Sequence, residues 1–284
     1  MVNLKYITFG IIIFISLVIG YLFYNLNNIE KEKVLINNLE NALLMTNNLL
    51  EEDKKQALSF AILLKNDKEF LESFTKNDKR KTFEIIKKKL AQLELVQPKK
   101  FRIQVHDKNL YTYIKSWDAT YKSENLEGFR KGLVEVKHTK KHLVSIELGK
   151  RLNIKAIVPI IENGIFLGSI EVITEFETLS HILKQRGYQF FVLLDDKYLD
   201  IAVDLAHNTK LKNYVICNKV EDIALLNPLE NIDIKNLGEF GYLIDTQISI
   251  GYFTIYDIEK RKLGFMIVAT NGTLPKHLEK RGER

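Results

Sequence analysis

The longest apolar run in the chain lies near its start, from Tyr6 to Tyr24, and contains no charged residue. Roughly 19 residues in a helix extend about 28 Å, close to the roughly 30 Å hydrocarbon thickness of a bilayer. Aromatic residues at both ends suit the membrane–water interfaces. A cleaved signal peptide is the rival interpretation, but the following segment Asn25–Lys33 is polar and has no small-residue cleavage pattern. The pattern predicts an uncleaved membrane anchor.

Apolar positions spaced by three and four residues follow from Ile29 to about Leu71, without proline or glycine. They predict a long amphipathic helix, which either covers the core of its own domain or pairs with a partner's copy. The polar interval 75–78 predicts a turn. A second amphipathic helix is predicted from Thr82 to Leu95.

Alternation of apolar and polar residues, the strand pattern, begins after the second helix. In Phe101–His106 it places Phe101, Ile103 and Val105 on one face, and Asn163-Gly164 supplies the positive-φ turn of a hairpin. A short helix is predicted over Asn109–Trp117. The strands predicted for this region are Phe101–His106, Leu133–Val136, Leu143–Leu148, Ile154–Ile161 and Ile165–Ile173.

A second strand-rich region repeats this organisation. Asp195-Asp196 predicts a turn and Tyr214–Leu226 is mixed in pattern. Its predicted strands are Tyr188–Leu194, Gly241–Ile244, Gly251–Asp257 and Leu263–Ala269. Helices followed by antiparallel strands, twice, predict an α+β fold of two tandem modules. The expected organisation is an anchor over 1–26, the long helix with a membrane-distal module over 27–180, and a membrane-proximal module with a charged tail over 181–284.

Charge and composition narrow the class of protein. Lys plus Arg number 42 and Asp plus Glu 36, a net charge of +6, and because the two signs are interleaved we interpret the surplus mainly as a solvated surface. Cys217, the single cysteine, excludes an intramolecular disulfide framework. His138 and His142 are four residues apart, but neighbouring lysines repel a cation, so neither a metal site nor a cofactor is predicted. Hydrolase and nucleotide-binding motifs are absent from the sequence.

Between Phe101 and Phe176 the chain carries, in order, IQVHDKNL, SW, NLEGFRKGLVEV, IELGKRLNIKAIVPI and NGIFLGSIEV. This block resembles a bacterial double Cache sensory domain, the type found on the outer side of chemoreceptors, sensor histidine kinases and diguanylate cyclases. The resemblance implies two PAS-like modules, each with an antiparallel sheet flanked by helices that enclose a small ligand. The residues that carry it are His106, Trp117, Arg130, Glu147 with Gly149, Lys155 with Pro159, and Gly168 with Glu171.

A pocket for a small polar solute needs aromatic walls and a few convergent charges. Aromatic side chains would form the walls, the basic residues would meet an anion, and a glutamate would meet an amine. The family usually has arginine at the position of Lys155; lysine keeps the charge but lacks the planar fork that holds a carboxylate through two hydrogen bonds. The predicted ligand-binding residues are Trp117, Arg130, Lys155, Glu171, His106, Tyr113 and Glu147.

Several of these residues also have a purely structural interpretation. Trp117 is as well suited to a core as to a pocket. Arg130 and Glu171 can simply pair with each other. His106, inside an alternating strand, is expected to be a hydrogen-bonded structural histidine.

The expected function is that of a membrane-tethered sensory module that binds a small molecule for signal transduction or chemotaxis and has no enzymatic activity or nucleic-acid partner. Lys5 before the apolar run favours a cytoplasmic amino terminus, so the expected location is the inner membrane, single-pass, with a periplasmic domain. No second span and no output domain are evident in the sequence, so the signal is expected to pass to a partner protein or through the single anchor. A second copy of the chain or a partner signalling protein is the expected protein partner. A truncated receptor or kinase, an anchored structural or assembly protein, and an anchored enzyme are the alternatives.

Overall fold

The long helix predicted from Ile29 to about Leu71 is present as far as Lys65 and extends back into the apolar run, but a break at Asn66 and Asp67 separates the end of the predicted segment as a second helix. A computed structural model describes residues 4–96, 99–220, 224–245 and 247–271, with side chains from residue 9 onward. Helix α1 covers Leu4–Lys65 and is followed by α2, Lys68–Thr75, and α3, Lys79–Glu94. The described side chains of the apolar amino-terminal part of α1 are exposed, as expected of a segment that crosses a membrane. Asp67 and Asp78 cap α2 and α3 by accepting hydrogen bonds from the backbone amides of Phe70 and Lys81.

The first sheet has five antiparallel strands and one helix laid on it. Its elements are β1 (Phe101–Asp107), β2 (Thr112–Lys115), α4 (Lys131–Thr139), β3 (Leu143–Leu148), β4 (Leu152–Glu162) and β5 (Ile165–Thr174). The strand order is β2-β1-β5-β4-β3. The predicted β4–β5 hairpin is confirmed, with Asn163 and Gly164 at positive φ in its turn.

Two predicted elements of this region are wrong. The segment Asn109–Trp117 contains the strand β2 instead of a helix, because it pairs with β1 along an edge of the sheet. The segment Leu133–Val136 belongs to the helix α4 instead of a strand. Leu133 and Val136 are three residues apart, so in a helix both face the sheet, and both are fully buried there.

The second sheet has six strands in the order β7-β8-β6-β11-β10-β9. Helix α5 (Glu177–Gln185) precedes it, and α6 (Leu226–Glu230) lies between its two halves. The strands are β6 (Gln189–Asp195), β7 (Lys210–Leu211), β8 (Tyr214–Ile216), β9 (Phe240–Ile244), β10 (Ile248–Tyr256) and β11 (Lys262–Asn271). The antiparallel strands predicted at 188–194, 241–244, 251–257 and 263–269 are confirmed, each with slightly different ends.

Helix α1 holds the two sheets together. It packs against β4 and β5 of the first sheet and against β10 and β11 of the second. At Gly251 of β10 a Cβ atom would lie 2.8 Å from the side chain of Leu43, so this glycine lets the helix approach the sheet closely. The hydrophobic cluster around Leu43 also contains Leu152 and Ile154 of β4 and Val192 of β6. A displacement of α1 would therefore change its packing against both sheets.

Candidate ligand-binding site

The face of the first sheet that points away from α1 carries polar residues at its centre. Strand pairing puts His106 opposite Ser169 and Lys155 opposite Ser145, and directly paired residues point to the same face. Glu171 lies two residues after Ser169 on β5 and shares this face because side chains alternate along a strand. The opposite face is apolar and packs on the first three helices.

An apolar cluster seals this polar region from one side. Helix α4 lies on the same face of the sheet and contacts β3, β4 and β5. The cluster is made of residues from α4, from the segments before it and from β4, namely Leu110, Leu126, Leu133, Val136 and Ile157. The polar side chains between α4 and the sheet are therefore withdrawn from water.

Arg130 connects the polar groups of three elements. It directly precedes α4 and is 4% exposed. Its Nη2 donates to Oε1 of Glu171 on β5, and its Nε donates to Oε1 of Glu147 on β3 over 3.4 Å. The same Glu147 oxygen accepts a 3.0 Å hydrogen bond from the backbone amide of Gly132. Burial alone would lower the pKa of Arg130, but the two carboxylates outweigh it and hold the pKa above its usual value.

Lys155 is a buried cation without a partner. It is 2% exposed and, within the residues described, its ammonium makes neither a hydrogen bond nor an ion pair, although the charges of Glu171 and Glu147 act on it from further away. The ammonium lies beside Gly149, where a Cβ atom would come within 2.7 Å of Nζ. Burial, and then repulsion from Arg130, lower the pKa of Lys155 to about 8. The Lys155 ammonium therefore has donor capacity that no described side chain uses.

His106 is a neutral, buried histidine. Its Nδ1 lies 3.0 Å from Oγ of Ser169, and its Nε2 lies 3.6 Å from Oε2 of Glu171. Burial, followed by the charge of Arg130, holds the pKa of His106 well below 6.5. The expectation of a hydrogen-bonded histidine inside β1 agrees with this arrangement.

Hydrogen-bonding capacity is left unused on this one face. Four buried atoms here have no hydrogen-bond partner in the described part of the chain: Nε2 of His106, Oγ of Ser145, Oε2 of Glu147 and Oε2 of Glu171. Buried polar groups in folded proteins are nearly always satisfied, by protein, water or ligand. Together with the Lys155 ammonium, they form a set of donors and acceptors whose hydrogen-bonding capacity is not used by the described residues.

Two of the seven predicted residues lie elsewhere. Tyr113 is on the opposite face of the sheet, which packs on α1, α2 and α3. Its ring meets that of Phe74 edge-on with centroids 5.1 Å apart. Trp117 is 43% exposed and lies over the guanidinium of Arg102 at 5.8 Å. The other five, His106, Arg130, Glu147, Lys155 and Glu171, come together under α4.

Ser145 and Ser169 belong to the same constellation and were not predicted. Each precedes a glutamate of the cluster by two residues, so period-two alternation from Glu147 and Glu171 would have identified them. The pair His138 and His142 does not share a helical face, because α4 ends at Thr139 and Lys140 adopts a left-handed conformation.

His106 is expected to make the protein less stable in mild acid. Its pKa is lower in the folded state than in the unfolded chain, so below pH about 6.5 the unfolded chain binds a proton that the folded one does not. The free energy of unfolding then falls by up to about 1.4 kcal/mol per pH unit. Urea unfolding of the wild type and His106→Gln, compared between about pH 6 and pH 5, measures this slope. The slope should be shallower in the variant, and equal slopes would contradict the assignment.

Comparison with known proteins agrees with this architecture. A family model described as the double sensory domain of two-component sensor kinase matches residues 35–241, which is more than half of the chain. The chain belongs to this double Cache family. The match begins within α1 and ends in β9, so it includes the polar cluster, the whole first sheet and the strands β6, β7 and β8 of the second sheet of the double Cache domain.

Solved structures share the fold at low identity. A domain assigned to the sensory box/GGDEF family from Vibrio parahaemolyticus matches with a TM-score of 0.55 and 13% identity, over 84% of this chain and 97% of that one. The sensor domain of the V. cholerae histidine kinase DctB matches with a TM-score of 0.51 and 13% identity, over 86% and 99%. No curated protein matches the sequence.

Proposed function

We propose that this double Cache protein is a membrane-tethered sensory module that binds a small polar molecule between α4 and the first sheet. The observation that carries the proposal is the set of unpartnered buried polar groups beside the free ammonium of Lys155. Burying a polar group without a partner costs free energy, so a sequence under selection for stability alone would favour apolar side chains at these positions.

The second sheet provides a contrast. Its outer face is covered by a closely packed apolar cluster that includes Phe191, Leu193 and Phe265. Within the residues described, its module buries Gln189, Asn218 and Ser249 but no charged side chain. Ligand recognition is therefore assigned to the first module, and the second module is assigned a role in transmission.

The charges of the cluster indicate what kind of ligand it would bind. Arg130 is already engaged by two glutamates, whereas Lys155 is not engaged. A carboxylate or carbonyl group of the ligand would accept from Lys155, and a hydroxyl or ammonium group would donate to the free oxygens of Glu147 and Glu171. A ligand with both kinds of group satisfies the site best.

Transmission would use α1. The helix contacts both sheets and continues into the exposed apolar run that we assign as the single membrane span, with both modules on the periplasmic side of the inner membrane. A ligand can shift α1 only as far as its affinities for two arrangements differ. The proposed boundaries are the anchor over 1–26, the ligand-binding module with α1 over 27–180, and the transmitting module over 181–284, with a homodimer or a partner signalling protein as the recipient.

A thermal denaturation screen tests the proposal. The full chain in an uncharged detergent is screened against amino acids, organic acids, amines and purines. A ligand at a hundredfold its dissociation constant is expected to stabilise the folded state by about 2.7 kcal/mol. The stabilisation should disappear in Lys155→Met and Glu147→Gln and persist in Lys235→Met, which removes an exposed lysine of the second module. A compound that stabilises all of these variants equally would contradict the site.

A further inference from the structure

The positive charge of the protein is concentrated on one segment. Residues 76–100 contain nine Lys or Arg and three Asp or Glu, a surplus of six, and the whole chain has a net charge of +6. The remaining chain is therefore balanced. Most of these basic side chains are exposed, as expected of a solvated surface, but the interleaving of the two signs that holds elsewhere fails in this segment.

The segment coincides with α3 and its flanks. The helix turns Ile85, Ile86 and Leu90 inward, and its basic side chains point outward. Three of the nine basic side chains are in ion pairs: Arg80 pairs with Glu84 at 3.1 Å, Lys89 with Asp67, and the buried Lys99 with Asp53. Exposed lysines without an ion pair in the described residues are Lys76, Lys81, Lys87, Lys88 and Lys100.

A small cleft borders this basic face. It has a volume of about 160 Å³ and lies between α3 and the Trp117 ring, with Leu90, Ala91 and Phe101 among its apolar walls. Two basic residues and one acidic residue also line it, namely Lys87, Arg102 and Glu94. Cavities that hold drug-sized ligands are larger, roughly 300–1,000 Å³, so this one suits a single side chain. Just beyond it, at the end of α3, Leu95 and Val96 are 86% and 79% exposed.

We propose that the basic face of α3 and the Trp117 cleft form a docking surface for an acidic segment of a partner protein, which inserts one aliphatic side chain into the cleft. Charge complementarity would attract and orient the segment. Tryptophan and arginine in a small pocket are typical of the residues that dominate protein–protein affinity, and Arg102 lies beneath the Trp117 ring. A plain polyanion would use the charges but leave the apolar cleft unused.

The surface is separate from the polar cluster. None of the residues that line the cleft belongs to the group around Arg130 and Lys155. Docking can therefore be tested without disturbing the proposed ligand site, and failure of one proposal does not imply failure of the other.

Trp117 reports on the cleft directly, because it is the only tryptophan in the chain. The probe is a short synthetic peptide of glutamates with one central leucine, titrated into the full chain in an uncharged detergent. Trp117 emission should shift, and the dissociation constant should be about tenfold lower than for the same peptide with alanine at the centre, since burial of the larger side chain contributes over 1 kcal/mol. Added salt should weaken both peptides.

Variants with the same charge change locate the peptide. Lys87→Glu should weaken binding of the leucine peptide about tenfold, while Lys235→Glu, on the second module, should leave it unchanged. An unaltered Trp117 emission would overturn the proposal. Equal affinity for the leucine peptide, the alanine peptide and inorganic polyphosphate would overturn it as well, because the surface would then bind polyanions without using the cleft.

Discussion

Replacing Arg130 by methionine is expected to lower the free energy of unfolding by about 3–5 kcal/mol, because the substitution leaves Glu147 and Glu171 buried without their partner. Both carboxylates are withdrawn from solvent under α4, with 4% of Glu147 and none of Glu171 exposed. Urea unfolding of the full chain, followed by far-ultraviolet circular dichroism, measures the loss. The double variant Arg130→Met with Glu171→Leu should recover most of it, since the remaining Glu147 and Lys155 charges balance.

Arg261 provides the matched control. It pairs with Asp257 at 2.7 Å but is 56% exposed, so Arg261→Met should change the free energy of unfolding by less than about 1 kcal/mol. If Arg130→Met were no more destabilising than Arg261→Met, the cluster would be solvated, and the argument from unsatisfied buried groups would fail.

The substitution Gly168→Ala is expected to cost about 2–3 kcal/mol of stability. Gly168 lies on β5 directly beside β1, and a Cβ atom there would press on the backbone carbonyl oxygen of His106 and come within 2.9 Å of the Phe74 ring. Neither the paired strand nor the packed ring can move far. The two strands would separate where His106 and Ser169 meet, so the midpoint of urea unfolding should fall.

Gly128→Ala tests the same chemical change without the contact. A Cβ atom at Gly128 would meet nothing within 4 Å. The free energy of unfolding of this variant should therefore lie within about 0.5 kcal/mol of the wild-type value. Equal stability of the two variants would show that β1 and β5 are not packed as closely as described.

The helices and hairpins could be predicted because their signals are local. The apolar spacing of α1 and α3 and the Asn163-Gly164 turn depend on neighbours in the sequence. The short elements β2 and α4 could not be predicted, because the conformation of each depends on a partner elsewhere in the chain. The strand β2 depends on its pairing with β1, and α4 depends on its packing against the sheet. A short apolar pattern fits a strand or a helix equally well.

Five of the seven predicted site residues meet because four of them sit on strands whose alternation could be counted. Tyr113 does not join them, because the β1–β2 pairing is irregular between Val105 and His106. As a result, both Tyr113 and Ile114 pack on the face of the sheet that contacts α1, α2 and α3. Trp117 follows β2 at the sheet edge, where no periodicity fixes its direction. The ligand-binding role of all seven residues stays a prediction.

The net charge of +6 is interpreted from the sequence mainly as a solvated surface. Counted along the chain, the surplus belongs to α3 and its flanks, where most of the basic side chains are exposed. The position of Trp117 beside that helix gives the charge an apolar neighbour that no sequence pattern indicated.

The central claim is that ligand is bound at the unpartnered groups under α4. Isothermal titration of the compound that stabilises the wild type most, into the wild type, Lys155→Met and Trp117→Ala, tests it most directly. We predict that Lys155→Met weakens binding at least tenfold, as expected for loss of a charge-assisted hydrogen bond of about 1.5–3 kcal/mol, and that Trp117→Ala binds like the wild type. Wild-type affinity in Lys155→Met together with loss of binding in Trp117→Ala would contradict the account and place the ligand in the exposed cleft.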